Sequence, residues 1–163
     1  MGTVTKIDVG PEYAHCIGLL GPECLPPCDD IRVTLEPNMT RSFGRAMPKR
    51  FRRPNGQLVV RDYYAITISK VLLRGLVNLY GQEAADKEYR ATMIHELAHI
   101  MVMHVYPEAR EHHGPKWITF MVKLGEPPDV YYNHGEDSVK YDWGKVAEAA
   151  REIRLANLSI GGY

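Results

Sequence analysis

The feature that most constrains this chain is the HExxH pattern at residues 95–99, which lies inside a strongly helical stretch. Residues four apart share one face of an α-helix, so His95 and His99 can bind one metal ion, most often zinc. Glu96 follows the first ligand and can act as general base toward a metal-bound water. The pattern therefore indicates hydrolysis, in the first place of a peptide bond. Apolar residues recur at helical spacing and predict one buried side: Ile94, Leu97, Ala98 and Met101.

A catalytic zinc site takes three protein ligands and leaves one position open, so a further ligand is needed. His104 lies five residues after His99, about 500° around the helix, and faces away from the pair. In the zinc-site pattern HExxHxxGxxH, the glycine would stand at position 102 and the third histidine ligand at position 105. Valine occupies both positions in this chain. The downstream candidates are His104, Glu108, Glu111, His112, His113 and His134.

The segment after the HExxH helix narrows these candidates to two. Pro107 ends or redirects the helix, and Glu108 and Glu111 lie too close to that turn to supply a ligand from a second helix. Pro115 is a typical first residue of a new helix. A histidine just before that helix can point back toward the metal, which leaves both His112 and His113 open.

These residues also carry a family resemblance. HELAH followed after a gap by HGPKW (residues 113–117) resembles the SprT-like (Spartan-like) zinc metalloproteases, which pair HExxH with a downstream HGxx(F/W). Residues 41–46 are similar to that family's glycine-bearing strand, and residues 65–72 to its strand-to-helix segment. The resemblance spans roughly residues 12–133. It implies Zn²⁺ as cofactor, Glu96 as catalytic base, and three ligands: His95, His99 and His113, with His112 as the rival for the third place.

The resemblance and the periodicity together predict an α+β, zincin-like metalloprotease domain. A small, mostly antiparallel sheet would pack on helices that include the HExxH helix. We expect a single domain over residues 1–163, with a core of about 12–133 and a C-terminal helical extension of about 142–158. The expected helices are 11–20, 69–80 with Ser69 as N-cap, 86–105, one after His113, and 143–158. The expected strands are 31–36, 40–47 and one within 57–69 that is strongest at 65–68, and the turn signal at residues 54–56 suggests a hairpin between the last two.

Composition fits one domain and gives little sign of a partner. The chain has 45% hydrophobic residues, and its 20 basic and 20 acidic side chains give a formal net charge of zero. There is no signal peptide and no apolar run that could span a bilayer, so we expect no membrane partner and a cytoplasmic location. Three cysteines rule out a complete disulfide framework. A small zinc site at His15, Cys16, Cys24 and Cys28 is an alternative to simple burial of the cysteines.

A basic segment is the feature that could contact nucleic acid. Six cations and no acid fall in the thirteen residues 41–53, with Phe43 and Phe51 interleaved. Such a segment can bind phosphates while its rings stack on unpaired bases, although a solvated hairpin is the alternative. The family's C-terminal zinc ribbon, which often engages DNA, is absent. The cations are Arg41, Arg45, Lys49, Arg50, Arg52 and Arg53.

The expected function is that of a zinc metalloendopeptidase in which Glu96 activates a zinc-bound water. Its substrates would be proteins, including DNA-bound or DNA-crosslinked proteins, with single-stranded DNA as a partner. Tyr131, Tyr132 or His134 could supply an oxyanion donor. The alternatives are a non-proteolytic zinc-binding module, structural or nucleic-acid-binding, and a hydrolase of bonds other than peptides. The compact size suits a phage or mobile-element version of the family.

Overall fold

A computed structural model describes residues 6–7, 9–52, 54–109, 111–128 and 141–159 of the chain. Within these ranges the chain forms an α+β fold in which a four-stranded sheet packs on helices. The strands are β1 (Lys6–Ile7), β2 (Ile31–Glu36), β3 (Gly44–Arg52) and β4 (Leu58–Ser69). The helices are α1 (Gly10–Leu20), α2 (Lys70–Tyr80), α3 (Gln82–Val105), α4 (Pro115–Lys123) and α5 (Trp143–Ser159), with short 3₁₀ turns at Pro22–Cys24 and Cys28–Asp30.

The sheet is mixed, with the strand order β1-β2-β4-β3. β1 pairs antiparallel with β2, and β3 pairs antiparallel with β4, as a hairpin requires. β2 and β4, however, are parallel, with Val33 opposite Ile66. Two of the three described pairings are therefore antiparallel, which agrees with the expected mostly antiparallel sheet, and the central pairing is parallel. The chain crosses from β2 to the far edge, where it forms β3, and returns as β4 between them.

The two faces of the sheet differ in burial because side chains alternate along a strand. One face is apolar and packs on the helices, with Val33 and Ile66 almost completely buried. The other face carries polar and charged residues, including the register pair Arg45 and Thr67. Arg45 is exposed, which places the basic side of β3 away from the helical layer.

Local signals explain where α2 ends and α3 begins. The Leu72 amide donates a hydrogen bond of 3.1 Å to Ser69 Oγ, so Ser69 is the N-cap of α2 as the sequence predicts. Gly81, with φ of 95°, ends α2, and α3 begins at the next residue. α3 thus starts four residues before the predicted position 86. No described helix is both long enough and apolar enough to cross a membrane.

Two apolar clusters hold the fold together. The larger cluster joins α1, the buried face of the sheet, α3 and α4, and contains the fully buried Leu97, Met101 and Trp117. α3 is buried around most of its circumference, which makes it the central helix of the fold. The smaller cluster lies between α2, α5 and the residues just before β3, and it includes Phe43.

Candidate metal centre

Helix α3 places the HExxH side chains as its periodicity dictates. His95 and His99 are one turn apart and half-buried, and Glu96 is buried with 4% of its surface exposed. The helix is fixed on the sheet and on α1 by its apolar neighbours, such as Ile94 and Leu97. The two imidazoles therefore project from a rigid element, as a metal site requires.

A third imidazole completes the group. His113 Nε2 lies 3.1 Å from His99 Nε2 and 3.3 Å from His95 Nε2, and the last two atoms are 3.2 Å apart. Three nitrogens thus converge on one point from two separate elements. Among the described residues, His95, His99 and His113 form the single group of side chains close enough to hold a metal ion.

The geometry of this group fits a tetrahedral metal ion. Two imidazole nitrogens bound to one zinc at 2.0–2.1 Å, at the tetrahedral angle, are about 3.3–3.4 Å apart. The observed separations of 3.1–3.3 Å are close to that value. When each neutral imidazole directs the lone pair of its Nε2 atom at the same point, the three lone pairs repel one another. A cation at that point can bind all three. A borderline-soft ion such as Zn²⁺ suits an all-imidazole ligand set.

Helix α4 brings His113 to the group, and Trp117 sets the relative position of the two helices. His113 directly precedes Gly114, the N-cap of α4, and Pro115 is the first residue of that helix. Trp117 is fully buried, and its ring centroid lies 4.7–5.5 Å from the rings of all three histidines. Its Nε1 donates a hydrogen bond of 3.4 Å to the His95 carbonyl. Trp117 is thus the apolar floor beneath the group.

The histidines are held in the neutral form that binds metals. The pKa of His99 is lowered from 6.5 to about 3, first by burial and then by the neighbouring His95, His113 and His112, against a backbone hydrogen bond to His112 that raises it. Burial and then His112 also lower the pKa of His113. Both rings are therefore unprotonated at neutral pH, and their lone pairs are available to a cation.

Glu96 is a buried acid next to this group. Its burial raises the pKa of the carboxyl from 4.5 to about 8. A cation held by the three imidazoles would act in the opposite direction and favour the carboxylate. Gly44, the first residue of β3, leaves room for this side chain: a Cβ built there would lie 3.3 Å from Glu96 Oε1 and 2.7 Å from the Thr92 methyl.

The structure leaves the other candidate ligands outside the group. His112 is exposed, as are Glu108 and Glu111, while His104 is half-buried on α3 and takes no part. The suggested oxyanion donors Tyr131, Tyr132 and His134 lie outside the described residues. Cys16 and Cys24 are buried in the larger cluster, and no disulfide joins any two of the three described cysteines.

The predicted basic segment is only partly described. Arg41 and Arg45 are exposed and Lys49 is half-buried, whereas the side chains of Arg50 and Arg52, and Arg53 as a whole, lie outside what the structure describes. The proposed stacking role of Phe43 is wrong, because Phe43 is fully buried in the smaller cluster. Its apolar ring packs between helices instead of meeting bases.

Two residues near the centre carry roles that the sequence did not reveal. Trp117 enters the sequence analysis only as the last residue of HGPKW, since its contact with the histidines of α3 is purely tertiary. Gly44 was noted only by resemblance, and its close approach to Glu96 depends on how β3 packs on α3. No spacing rule predicts either contact.

Comparison with known families fits this geometry. The SprT-like family model matches residues 23–135, which is more than half of the chain. The chain belongs to the SprT-like family. The match covers β2 to α4 and thus all three histidines and Glu96, whereas α5 lies beyond it. No curated protein and no solved structure matches the chain significantly. The protein therefore contains a metallopeptidase-like SprT domain with three histidines that could hold a metal ion.

Proposed function

We propose that this SprT-like protein is a zinc metalloendopeptidase of the HExxH type with a zincin-like fold. One observation carries the proposal: three Nε2 atoms lie within 3.3 Å of one another beside the buried Glu96. Three imidazoles can hold a cation, and an adjacent buried acid can move a proton. Metal-assisted hydrolysis of a peptide bond uses both. A zinc module kept only for stability has no need of a buried acid, which costs free energy when ionised.

The residues divide the chemistry between them. His95, His99 and His113 would hold the zinc, which when bound supplies Lewis acidity toward the scissile carbonyl and lowers the pKa of water. Glu96 accepts the proton of the attacking water and delivers it to the leaving amine. Burial makes the Glu96 carboxylate a stronger base, because the low-dielectric surroundings favour its protonated form. The Trp117 ring packs against all three imidazoles and so helps to fix their orientation.

Cleavage by the zinc-loaded protein tests the proposal, with fluorescein-labelled casein as the substrate. Glu96→Gln keeps the shape of the side chain and removes the base, so kcat should fall by about 100-fold or more while zinc remains bound. Glu83→Gln, an exposed acid on the same helix, is the matched control and should cleave like the wild type. Full turnover by Glu96→Gln would refute the mechanism. Bound zinc without cleavage of casein or of a DNA-binding protein would favour the non-proteolytic module.

We further propose that single-stranded DNA binds the polar face of the sheet and that DNA-bound or DNA-crosslinked proteins are substrates. The support is a set of cations around an aromatic ring: Arg45 and Lys49 lie on this face of β3, and the Arg32 guanidinium lies 3.9 Å from the centroid of the Tyr63 ring. Lys49 is the register partner of Tyr63, which places both on the same face. Phosphates and one stacked base suit such a surface.

Fluorescence anisotropy with a labelled oligothymidine tests this surface. Arg45→Ala should weaken binding and reduce the slope of log K against log salt by about 0.7, the value for one phosphate contact on a single strand. Lys123→Ala, which removes an exposed cation from α4, should leave both unchanged. Equal effects of the two substitutions, or no binding by the wild type, would refute the proposal that DNA binds this face of the sheet. A DNA-binding protein should be cleaved faster in the presence of the oligonucleotide.

A further inference from the structure

Helix α5 lies beyond the segment that matches the family, yet its first residue contacts Phe43, which directly precedes the glycine beside Glu96. The helix packs on α2, and its residues Val146 and Ala150 are fully buried in the smaller cluster. Gly75 of α2 permits this approach, because a Cβ there would lie only 2.9 Å from the Val146 carbonyl oxygen. At its start, the Asp142 amide donates a hydrogen bond of 2.8 Å to the Tyr80 hydroxyl. The position of α5 is thus fixed by several contacts along its length.

The first residue of α5, Trp143, contacts the segment that enters β3. Its ring meets the Phe43 ring edge to face, with the centroids 5.7 Å apart. Phe43 is fully buried, and its carbonyl accepts a hydrogen bond of 2.8 Å from the Ser69 amide. Phe43 is therefore held on one side by the end of β4 and on the other by α5.

Phe43 is followed directly by Gly44, which lies against the catalytic helix. A Cβ at Gly44 would approach the Thr92 methyl to 2.7 Å and Glu96 Oε1 to 3.3 Å. Gly44 therefore leaves room for the Glu96 carboxylate, and the backbone of β3 at this position is one boundary of that space. Any shift of Phe43 would move this boundary, because one peptide bond connects the two residues and closely packed groups transmit displacements.

We propose that Trp143 is a positioning residue: through Phe43 it sets Gly44 against α3 and so fixes the Glu96 carboxylate for catalysis. The inference rests on the proposed peptidase function and adds α5 to the catalytic unit. It assigns α5 a role in proton transfer by Glu96 and none in zinc binding, because Trp143 acts on the boundary of Glu96 through its ring contact with Phe43 and does not belong to the three-histidine group.

Steady-state cleavage of labelled casein tests the link through a split between kcat and KM. Trp143→Ala should lower kcat about tenfold and leave KM and zinc affinity within about twofold, whereas Trp143→Phe, which keeps an aromatic edge, should recover most of the rate. Val146→Ala loosens α5 on α2 but keeps the Trp143 ring, and it serves as a control of matched destabilisation; Leu155→Ala is the exposed control on the same helix. Both should keep kcat within about twofold of the wild type.

Two results of this assay would overturn the proposal. If Val146→Ala, at equal loss of stability, lowers kcat as much as Trp143→Ala, the effect is general loosening. If Trp143→Ala leaves kcat unchanged, the contact does not reach Glu96. Gly44→Ala tests the same link at a second position. The added methyl group would lie next to Glu96 and should lower kcat at least as much as Trp143→Ala does.

A measurement without turnover separates this proposal from the peptidase function. Co²⁺ in the three-histidine site gives visible absorption bands that depend on the groups around the ion. Trp143→Ala should shift or weaken these bands, and the change should disappear in a Glu96→Gln background, because the link acts through Glu96. An identical change in both backgrounds, or none in either, would overturn the link. These outcomes decide the proposal even if casein and every other protein remain uncleaved.

Discussion

At the scale of single residues, burial keeps two of the three clustered imidazoles, those of His99 and His113, in the neutral form. A solvent-exposed histidine is partly protonated near pH 6.5, and a proton competes with a metal for the same lone pair. The pKa of about 3 for His99 removes that competition over the whole neutral range. Trp117 is part of the apolar surroundings of His99, since its ring stacks on the His99 ring at an interplanar angle of 22°.

Trp117 should therefore control zinc affinity without being a ligand. Trp117→Phe keeps a buried ring but removes the Nε1 donor to the His95 carbonyl and part of the packing. We expect a loss of zinc affinity of about 10-fold, at the lower end of the range for residues that orient metal ligands. Competition with a chromophoric chelator measures it. Trp143→Phe changes the other tryptophan of the chain and should bind zinc like the wild type; equal loss in both would contradict the assignment.

Cys16 should be inert at neutral pH. Burial raises the pKa of its thiol from 9.0 to about 12, with smaller contributions from Cys24 and Glu12. The raised pKa stabilises the fold fully below pH 9, and the contribution is lost as the pH rises from 9 toward 12, where the unfolded thiol ionises first. At pH 8, alkylation of native Cys16 by iodoacetamide should be about 1000-fold slower than in urea. Mass spectrometry reads each cysteine; rapid native labelling of Cys16 would contradict its burial.

The sequence could predict the residues of one helical turn but not those that meet through tertiary contacts. His95 and His99 follow from periodicity alone, because residues four apart share a helix face. The choice between His112 and His113 depends on the angle at which α4 leaves the turn, and residue spacing contains no information about that angle. For the same reason, no residue pattern indicates that Trp117 lies beneath the histidines.

At the scale of elements, close approach of α5 to α2 depends on the missing side chain of Gly75. Gly75→Ala would force a methyl group toward the Val146 carbonyl, 2.9 Å away, and should lower the free energy of unfolding by about 1–3 kcal/mol. Gly18→Ala in α1 meets nothing within 4 Å and should raise it by about 0.5–1 kcal/mol through helix propensity. Urea denaturation measures both. Changes of the same sign would contradict the packing of α5.

Elements whose ends are determined by local sequence signals match their predicted bounds. Strands whose ends depend on pairing with another strand do not. The strand Ile31–Glu36 and the helix that Ser69 caps agree with the structure because apolar alternation and a capping hydroxyl are local. β3 begins at Gly44 and not at residue 40, because its extent depends on pairing with β4. β1 has two residues, too few to show any period, and was not predicted.

At the scale of the whole molecule, the sheet separates the metal centre from the basic surface. Gly44 faces α3 and Glu96, whereas the next residue, Arg45, faces the opposite side of the sheet. The hairpin therefore begins beside Glu96, but its described cations Arg45 and Lys49 lie on the other face. A strand of DNA on the polar face would hold an attached protein near the edge formed by β3, from which the polypeptide could reach the metal centre.

Zinc content is the most direct test of the central claim that three imidazoles form the metal centre. Purified wild-type protein, His113→Ala and the matched neighbour variant His112→Ala would be loaded with one equivalent of zinc, dialysed, and assayed by elemental analysis. We predict one zinc per chain in the wild type and in His112→Ala, and loss of most of it in His113→Ala. Zinc retained by His113→Ala, or lost from His112→Ala in its place, would contradict the assignment.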